Sequence, residues 1–185
     1  MCDYSMKNQI FSTNEELTTT QHQVTKVSSF AEVWECLLTG DKSLHATVNF
    51  IPGDIISNLR TKEILTDPNY LTVQLNEEEH IMFTPEFLHY INHSCDPNVF
   101  FDTTKKVATC LRKIEVGEEM TFFYPSTEWS MAQEFDCDCK TERCVGRIQG
   151  AAHLPPAILQ TYQISDYIKQ LVFEEVDDTN LMVDK

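Results

Sequence analysis

Four cysteines offer the most specific chemistry in this chain. Three of them, Cys137, Cys139 and Cys144, fall within eight residues as Cys-x-Cys-x4-Cys. Tetrahedral zinc takes four ligands, so three clustered thiols leave one position to be filled from elsewhere. The natural candidate is Cys95, in the stretch Tyr90-Ile91-Asn92-His93-Ser94-Cys95-Asp96-Pro97-Asn98-Val99-Phe100. Asn, Ser, Asp and Pro favour turns because they bond their own backbone or fix φ. A turn does not explain the thiol among them, since a free Cys is usually buried and inert. A metal shared between Cys95 and the cluster would clamp the central turn to the C-terminal segment and leave a cleft between them. The competing reading is disulfides or bystander thiols. It loses ground because tight Cys clusters in reducing compartments more often bind metal.

The surroundings fit such a site. At 185 residues with 42% hydrophobic content, the chain suits one domain with a real core. No apolar run approaches the ~20 residues of a membrane helix, and Met1 to Gln9 lacks a basic, then apolar, signal pattern. The expected location is intracellular, cytoplasmic or nuclear, with no membrane contact. A formal charge of −15 argues against direct nucleic-acid binding, because phosphate contacts need a basic surface. It accommodates a Lys/Arg-rich protein partner, and it serves solubility equally well.

Positioning the cluster and the turn requires many short elements. Residues 1–28 are polar and aperiodic, and read as a flexible leader. Phe30 to Leu38 suits either a short helix or a strand. Leu44 to Phe50 alternates loosely and ends at the turn Ile51-Pro52-Gly53-Asp54, ahead of a short strand Ile55-Ile56. Tyr70 to Leu75 and His80 to Phe83 resemble a hairpin around an acidic turn. Thr84-Pro85-Glu86 opens a helical turn, with Pro expected at its first position. Val99–Phe101, Val107–Leu111 and Met120–Tyr124 follow as strands. Ala157 to Phe173 carries apolar residues at helical spacing, with Ile164-Ser165-Asp166 as a candidate break. Amphipathic helices mostly serve the core, so this extension is expected to pack on the domain. The fold class expected is mainly β with minor α.

Asn92-His93-Ser94-Cys95-Asp96-Pro97-Asn98, then Gly117-Glu118-Glu119-Met120-Thr121-Phe122-Phe123-Tyr124, then the Cys cluster, together resemble a SET domain with its post-SET zinc segment. That family comprises protein lysine methyltransferases using S-adenosylmethionine. The resemblance implies a fold of small curved sheets with a pseudoknot-like core. It divides the chain into a leader (1–28), a SET domain (29–126), a post-SET segment (127–150) and a helical extension with an acidic tail (151–185). It further implies Tyr124 as the catalytic residue and cofactor contacts at Asn92, His93, Ser43 and Leu44. One structural zinc ion would sit on Cys95, Cys137, Cys139 and Cys144. Aromatic walls for the substrate lysine would come from Tyr90, Phe122, Phe123 and Phe100, with plain core packing the competing reading for Phe123 and Phe100. A basic protein or peptide is the implied substrate.

The chain departs from the family pattern in two places. Asp41-Lys42-Ser43 stands where the family has Gly-x-Gly, and Phe123 stands where Asp often precedes the Tyr. Two alternatives to a methyltransferase therefore arise: an inactive SET-fold scaffold, and a SET-fold enzyme turned to a small molecule.

Overall fold

A computed structural model describes residues 21–173 of the chain. Three antiparallel strands come first: β1 (His22–Lys26), β2 (Ala31–Cys36) and β3 (Lys42–Ala46). The segment 30–38, open between helix and strand by sequence, is therefore a strand. β1 corrects the reading of residues 21–28 as leader; residues 1–20 lie outside the described residues. Its side chains are mostly exposed on both faces, so no apolar alternation betrays it. Backbone pairing with β2, from His22 opposite Cys36 to Lys26 opposite Glu32, holds it.

β4 (Ile55–Asn58), β5 (Arg60–Leu65), β6 (Val73–Gln74) and β7 (His80–Thr84) follow. β5, β7 and β6 form the second sheet in that order. The expected 70–75 strand shrinks to two residues because the Thr72 hydroxyl accepts the Asn69 N–H and donates to Asn69 O in a local turn. β5 carried no sequence signal, being charged and largely exposed. A 3₁₀ turn, Glu86–Tyr90, leads to the centre of the molecule; Pro85 occupies its cap rather than its first position.

The central sheet runs β4, β10 (Val107–Cys110), β9 (Val99–Asp102), β11 (Thr121–Phe122), β8 (Asn92–His93). β11 lies parallel to both β8 and β9, with Thr121 opposite Asn92 and Phe122 opposite His93. The two flanks of the 94–98 turn thus lie either side of one later strand. Asn98, fully buried, fixes this threading. Its amide donates to Glu119 O at 2.8 Å and its carbonyl accepts the Thr121 N–H at 2.8 Å. It acts as a strand residue would, which explains the need for Asn there.

A two-residue ribbon, β12 (Phe135–Asp136) with β13 (Arg147–Ile148), brackets the 137–144 loop that carries three of the cysteines. The chain then turns through a 3₁₀ turn at Ala151–His153 into α1 (Pro156–Leu159). The single helix expected over 157–173 is two pieces, and helix resumes only at 166–173. Ser165 causes the break. Its N–H goes to Ser126 O at 2.8 Å, while its hydroxyl accepts the Ile168 N–H at 3.3 Å as an N-cap.

Two apolar cores result. The larger, with Leu44, Ile81, Phe83, Leu88 and Phe101, lies between the sheets. The smaller gathers Cys95, Phe123, Ile148, Leu159, Ile164 and Ile168. The extension thus packs on the domain, as its amphipathic pattern predicts. None of the described helices is long and apolar enough to cross a membrane.

Gly150 joins the two halves of the smaller core. It has φ +111°, and a Cβ there would meet Trp129 O at 2.4 Å, main chain that cannot swing aside. Gly150→Ala is expected to cost about 2 kcal/mol or more. A urea-melt comparison with the parent protein measures it, and an unchanged midpoint would contradict the tight approach.

Candidate functional site

β8 and the Tyr124 end of β11 form the floor of an open groove of about 1220 Å³. Lys42 and Ser43 of β3 and the 3₁₀ turn bound one side, and residues 128–141 bound the other. A short parallel pair is well suited to such a floor. It sets Asn92 and His93 beside Thr121 and Phe122 through backbone bonds, and the His93 ring then holds the Tyr124 N–H just beyond the strand.

Each side chain has a defined role in the geometry. The Asn92 amide donates to Lys42 O at 2.9 Å and to Glu119 Oε1 at 3.1 Å. Both of its donor hydrogens are thereby committed, and its carbonyl oxygen stays open as an acceptor. The His93 Nδ1 accepts the Tyr124 N–H at 3.3 Å, so the ring proton sits on Nε2 and points at Cys95 Sγ, 3.4 Å away. Burial pushes the imidazole down to about 4, which keeps it in this neutral, directional form. Ser43 Oγ lies 3.0 Å from His45 Nε2, and His45 Nδ1 lies 3.1 Å from Gly117 O. The ring proton on Nδ1 serves the carbonyl, so the hydroxyl of Ser43 donates to His45.

Tyr124 has aromatic neighbours on three sides: Phe122 at 4.6 Å, His93 at 5.2 Å and Phe135 at 6.0 Å between ring centroids. Burial, and then the nearby Glu119 charge, push its phenol up to about 12. The hydroxyl therefore keeps its proton at physiological pH and acts as a hydrogen-bond donor, never as a base.

Adjacent aromatics diverge. Phe122 lines the groove, whereas Phe123 is buried in the smaller core and stacks on Tyr162 at 3.9 Å with 8° between the rings. Phe101 lines the groove, whereas Phe100 lines a separate cavity of about 260 Å³ beside Phe123. Successive strand residues face opposite sides, so only one of each pair can reach the groove. Phe123 and Phe100 thus do not line the groove; Phe101, which the sequence does not single out, does. Tyr90 lines the groove, with Lys42 Nζ 5.4 Å from its ring centre. Leu44 also lies elsewhere than expected. It is fully buried in the larger core and its carbonyl accepts the Met120 N–H, so it does not face the groove.

The four cysteines converge. The Sγ atoms of Cys95, Cys137, Cys139 and Cys144 all lie within 4.8 Å of one another, and Cys95 and Cys137 are 3.9 Å apart. Four thiolates at ~2.3 Å around zinc would be ~3.8 Å apart, so the spacing fits a tetrahedral ion. None of the four is in a disulfide. Burial pushes the Cys95 and Cys137 thiols up, so gathering them as thiolates requires a cation.

Glu128 carried no sequence signal. Its N–H donates to Tyr124 O at 3.1 Å, and its Oε1 accepts the Gln74 N–H at 2.9 Å. Gln74 returns the contact by accepting the Trp129 N–H at 2.9 Å, locking β6 to the segment after Tyr124. Burial pushes the Glu128 carboxyl up from an ordinary 4.5 to about 7, against the opposing pull of the Gln74 N–H. The folded protein holds this proton more tightly than the unfolded chain does. The group's stabilising contribution is therefore full below about pH 4.5 and lost as pH rises through about 7. Glu128→Gln is expected to flatten that slope by about 3 kcal/mol between pH 5 and 8. Chemical melts of both proteins across this range provide the comparison, and parallel curves would contradict it.

Comparison with known proteins yields a consistent set. A family model described as SET domain matches residues 2–125. Methyltransferase flvH of Aspergillus flavus is 34% identical over 132 residues, covering 70% of this chain and 74% of that protein. The H3 lysine-36 specific histone-lysine N-methyltransferase of Candida albicans is 32% identical over 83 residues, 42% of this chain and 10% of that protein. Among solved structures, the methyltransferase domain of human histone-lysine N-methyltransferase SETMAR aligns with a TM-score of 0.45 at 14% identity. The alignment covers 71% of this chain and 58% of that one.

Proposed function

The chain belongs to the SET-domain family, and on that premise we propose that it methylates a lysine side chain of a protein, using S-adenosylmethionine. The observation that carries the reading is the protonated Tyr124 phenol packed against Phe122 in a groove that Asn92 also lines. When bound, S-adenosylmethionine supplies a methyl group activated by its sulfonium. The chain's own residues supply position. Asn92, through its open carbonyl oxygen, with His93 and Ser43 would hold the cofactor at the β8 side. The bond from Ser43 to His45 keeps that hydroxyl tied back, which suits close approach where glycines are absent.

On the acceptor side, Tyr90, Phe101 and Phe122 would enclose the lysine stem and exclude water. Desolvation lowers an amine's pKa, so such walls favour the neutral nucleophile. The Tyr124 hydroxyl, as a donor and not a base, orients groups at the reacting centre. Zinc on Cys95, Cys137, Cys139 and Cys144 would be structural, since four protein ligands leave no open position. Residues 29–126 would then be the catalytic unit and 127–150 the metal-bearing wall. The net charge of −15 supports a Lys/Arg-rich protein substrate.

Calorimetric titration of the zinc-loaded protein with S-adenosylmethionine tests the reading. Saturable binding is expected. A folded, zinc-containing protein that ignores millimolar cofactor would sink it.

A further inference from the structure

We propose that Glu128 is the carboxylate that receives the cationic head of the substrate as it enters the groove, before the amine gives up its proton. The inference rests on the lysine-methylation reading and gives that site a recognition residue outside the three sequence motifs. Glu128 lies four residues after Tyr124, is only 9% exposed, and lines the same groove. Its two oxygens differ. Oε1 is committed to the Gln74 N–H and lies 3.4 Å from the Thr127 hydroxyl. Oε2 makes no hydrogen bond to any described residue, and none of the described Lys, Arg or His side chains forms an ion pair with Glu128.

The other carboxylates around the groove are engaged or open to water. Glu119 is bonded by Asn92, and Glu118 and Glu134 pair with Arg112 and Arg147. Asp41 and Asp138 are exposed, so solvent screens them. Glu128 is the buried one that lacks a cation. Such a group is unfavourable in a folded protein unless something compensates it. Clamping Gln74 does not explain it, because a glutamine carbonyl would accept the same N–H without carrying a charge. What the carboxylate adds is negative charge, one helical turn from the phenol, in a site where a partner of opposite sign is attracted more strongly than in water. A primary ammonium on an unbranched stem suits a groove lined by Phe122 and Glu128, with the aromatic ring for its carbons and Oε2 for its head. The residue would thereby distinguish a cationic side chain from a neutral one of equal length.

The test uses the full zinc-loaded chain at pH 8, where Glu128 is ionised, with n-butylammonium as the probe and n-butanol as its neutral counterpart. NMR titration is expected to show saturable ammonium binding, about 10-fold weaker in Glu128→Gln, with n-butanol unchanged. The Gln variant retains the clamp, and its melting temperature confirms the fold. Equal ammonium affinity in the two proteins overturns the proposal. So does a parallel loss of both probes, which would mark a merely structural role, or no ammonium binding to the parent protein. A parallel titration with S-adenosylmethionine keeps the two readings separate. Absence of cofactor binding would count against methyl transfer and leave the ammonium result standing.

Discussion

Replacing Tyr124 by Phe is expected to lower methyl transfer by about 100-fold or more while leaving stability within about 0.5 kcal/mol of the parent. The two halves of this expectation have separate causes. The ring is held by Phe122, His93 and Phe135, and the backbone by the bond from its N–H to His93, all of which survive the change. The hydroxyl makes no hydrogen bond to any described residue, so deleting it leaves no buried partner unsatisfied. What disappears is a donor fixed in a dry site, and losses of a single such donor typically fall in the range of ~10²–10³ in turnover. Transfer of label from S-adenosylmethionine to a Lys-rich protein measures the effect, with calorimetry to check that cofactor affinity is intact. Parent-like turnover in the variant would remove Tyr124 from the reacting centre.

Loss of the metal should be equally visible, in a different observable. Cys139→Ser is expected to bring zinc from about one ion per chain to a small fraction of that, since three thiolates and a hydroxyl form a poor tetrahedral site. The 137–144 loop is otherwise anchored by the narrow β12–β13 ribbon and by exposed Arg143, which reaches Thr161, pairs with Asp96 and lies over the Tyr162 ring. Melting should fall by roughly 10 °C or more, from a loss of several kcal/mol in a chain of this size. Hydrogen exchange should rise over residues 137–149 first. The disturbance should then reach the groove along a short path, because the Nε2 proton of His93 points at Cys95 and its Nδ1 holds the Tyr124 N–H. Elemental analysis decides the ligand assignment; unchanged zinc content would refute it.

Sequence alone reveals the parts of this site that depend on rare residue types at fixed spacing. Cys137, Cys139 and Cys144 stand out by their spacing, and Cys95 by lying within a turn that does not need it; the structure brings the four together. Asn92, His93 and Tyr124 come with a motif whose order along the chain matches the parallel pairing of β8 with β11. Facing is harder to read. β11 is two residues long, too short for alternation to distinguish Phe122 from Phe123, and Phe100 and Phe101 present the same ambiguity. Only the Tyr162 stack shows which one turns inward. The edge strands β1 and β5 escape for another reason. Pattern reading detects buried faces, and theirs are largely exposed. Glu128 is legible only in three dimensions, since nothing in Ser126-Thr127-Glu128-Trp129 reveals that Gln74 will come to meet it.

The contact between Tyr162 and the central turn bears on how the protein is made. Tyr162 stacks on Phe123 and donates its hydroxyl to Cys95 O at 2.8 Å, so a residue near the end of the described chain braces the turn that carries Cys95 and the neighbour of Tyr124. A ribosome produces the motif strand first and this brace afterwards. At ~5–20 residues per second, the interval from Tyr124 to Val172 is roughly 2 to 10 s. During that interval the nascent chain has the motif residues but lacks the back wall of the smaller core, with Phe123 and Cys95 uncovered. Synthesis thus orders the assembly: the sheets can close early, and the cysteine-bearing wall of the groove becomes firm only as the helix at 166–173 emerges.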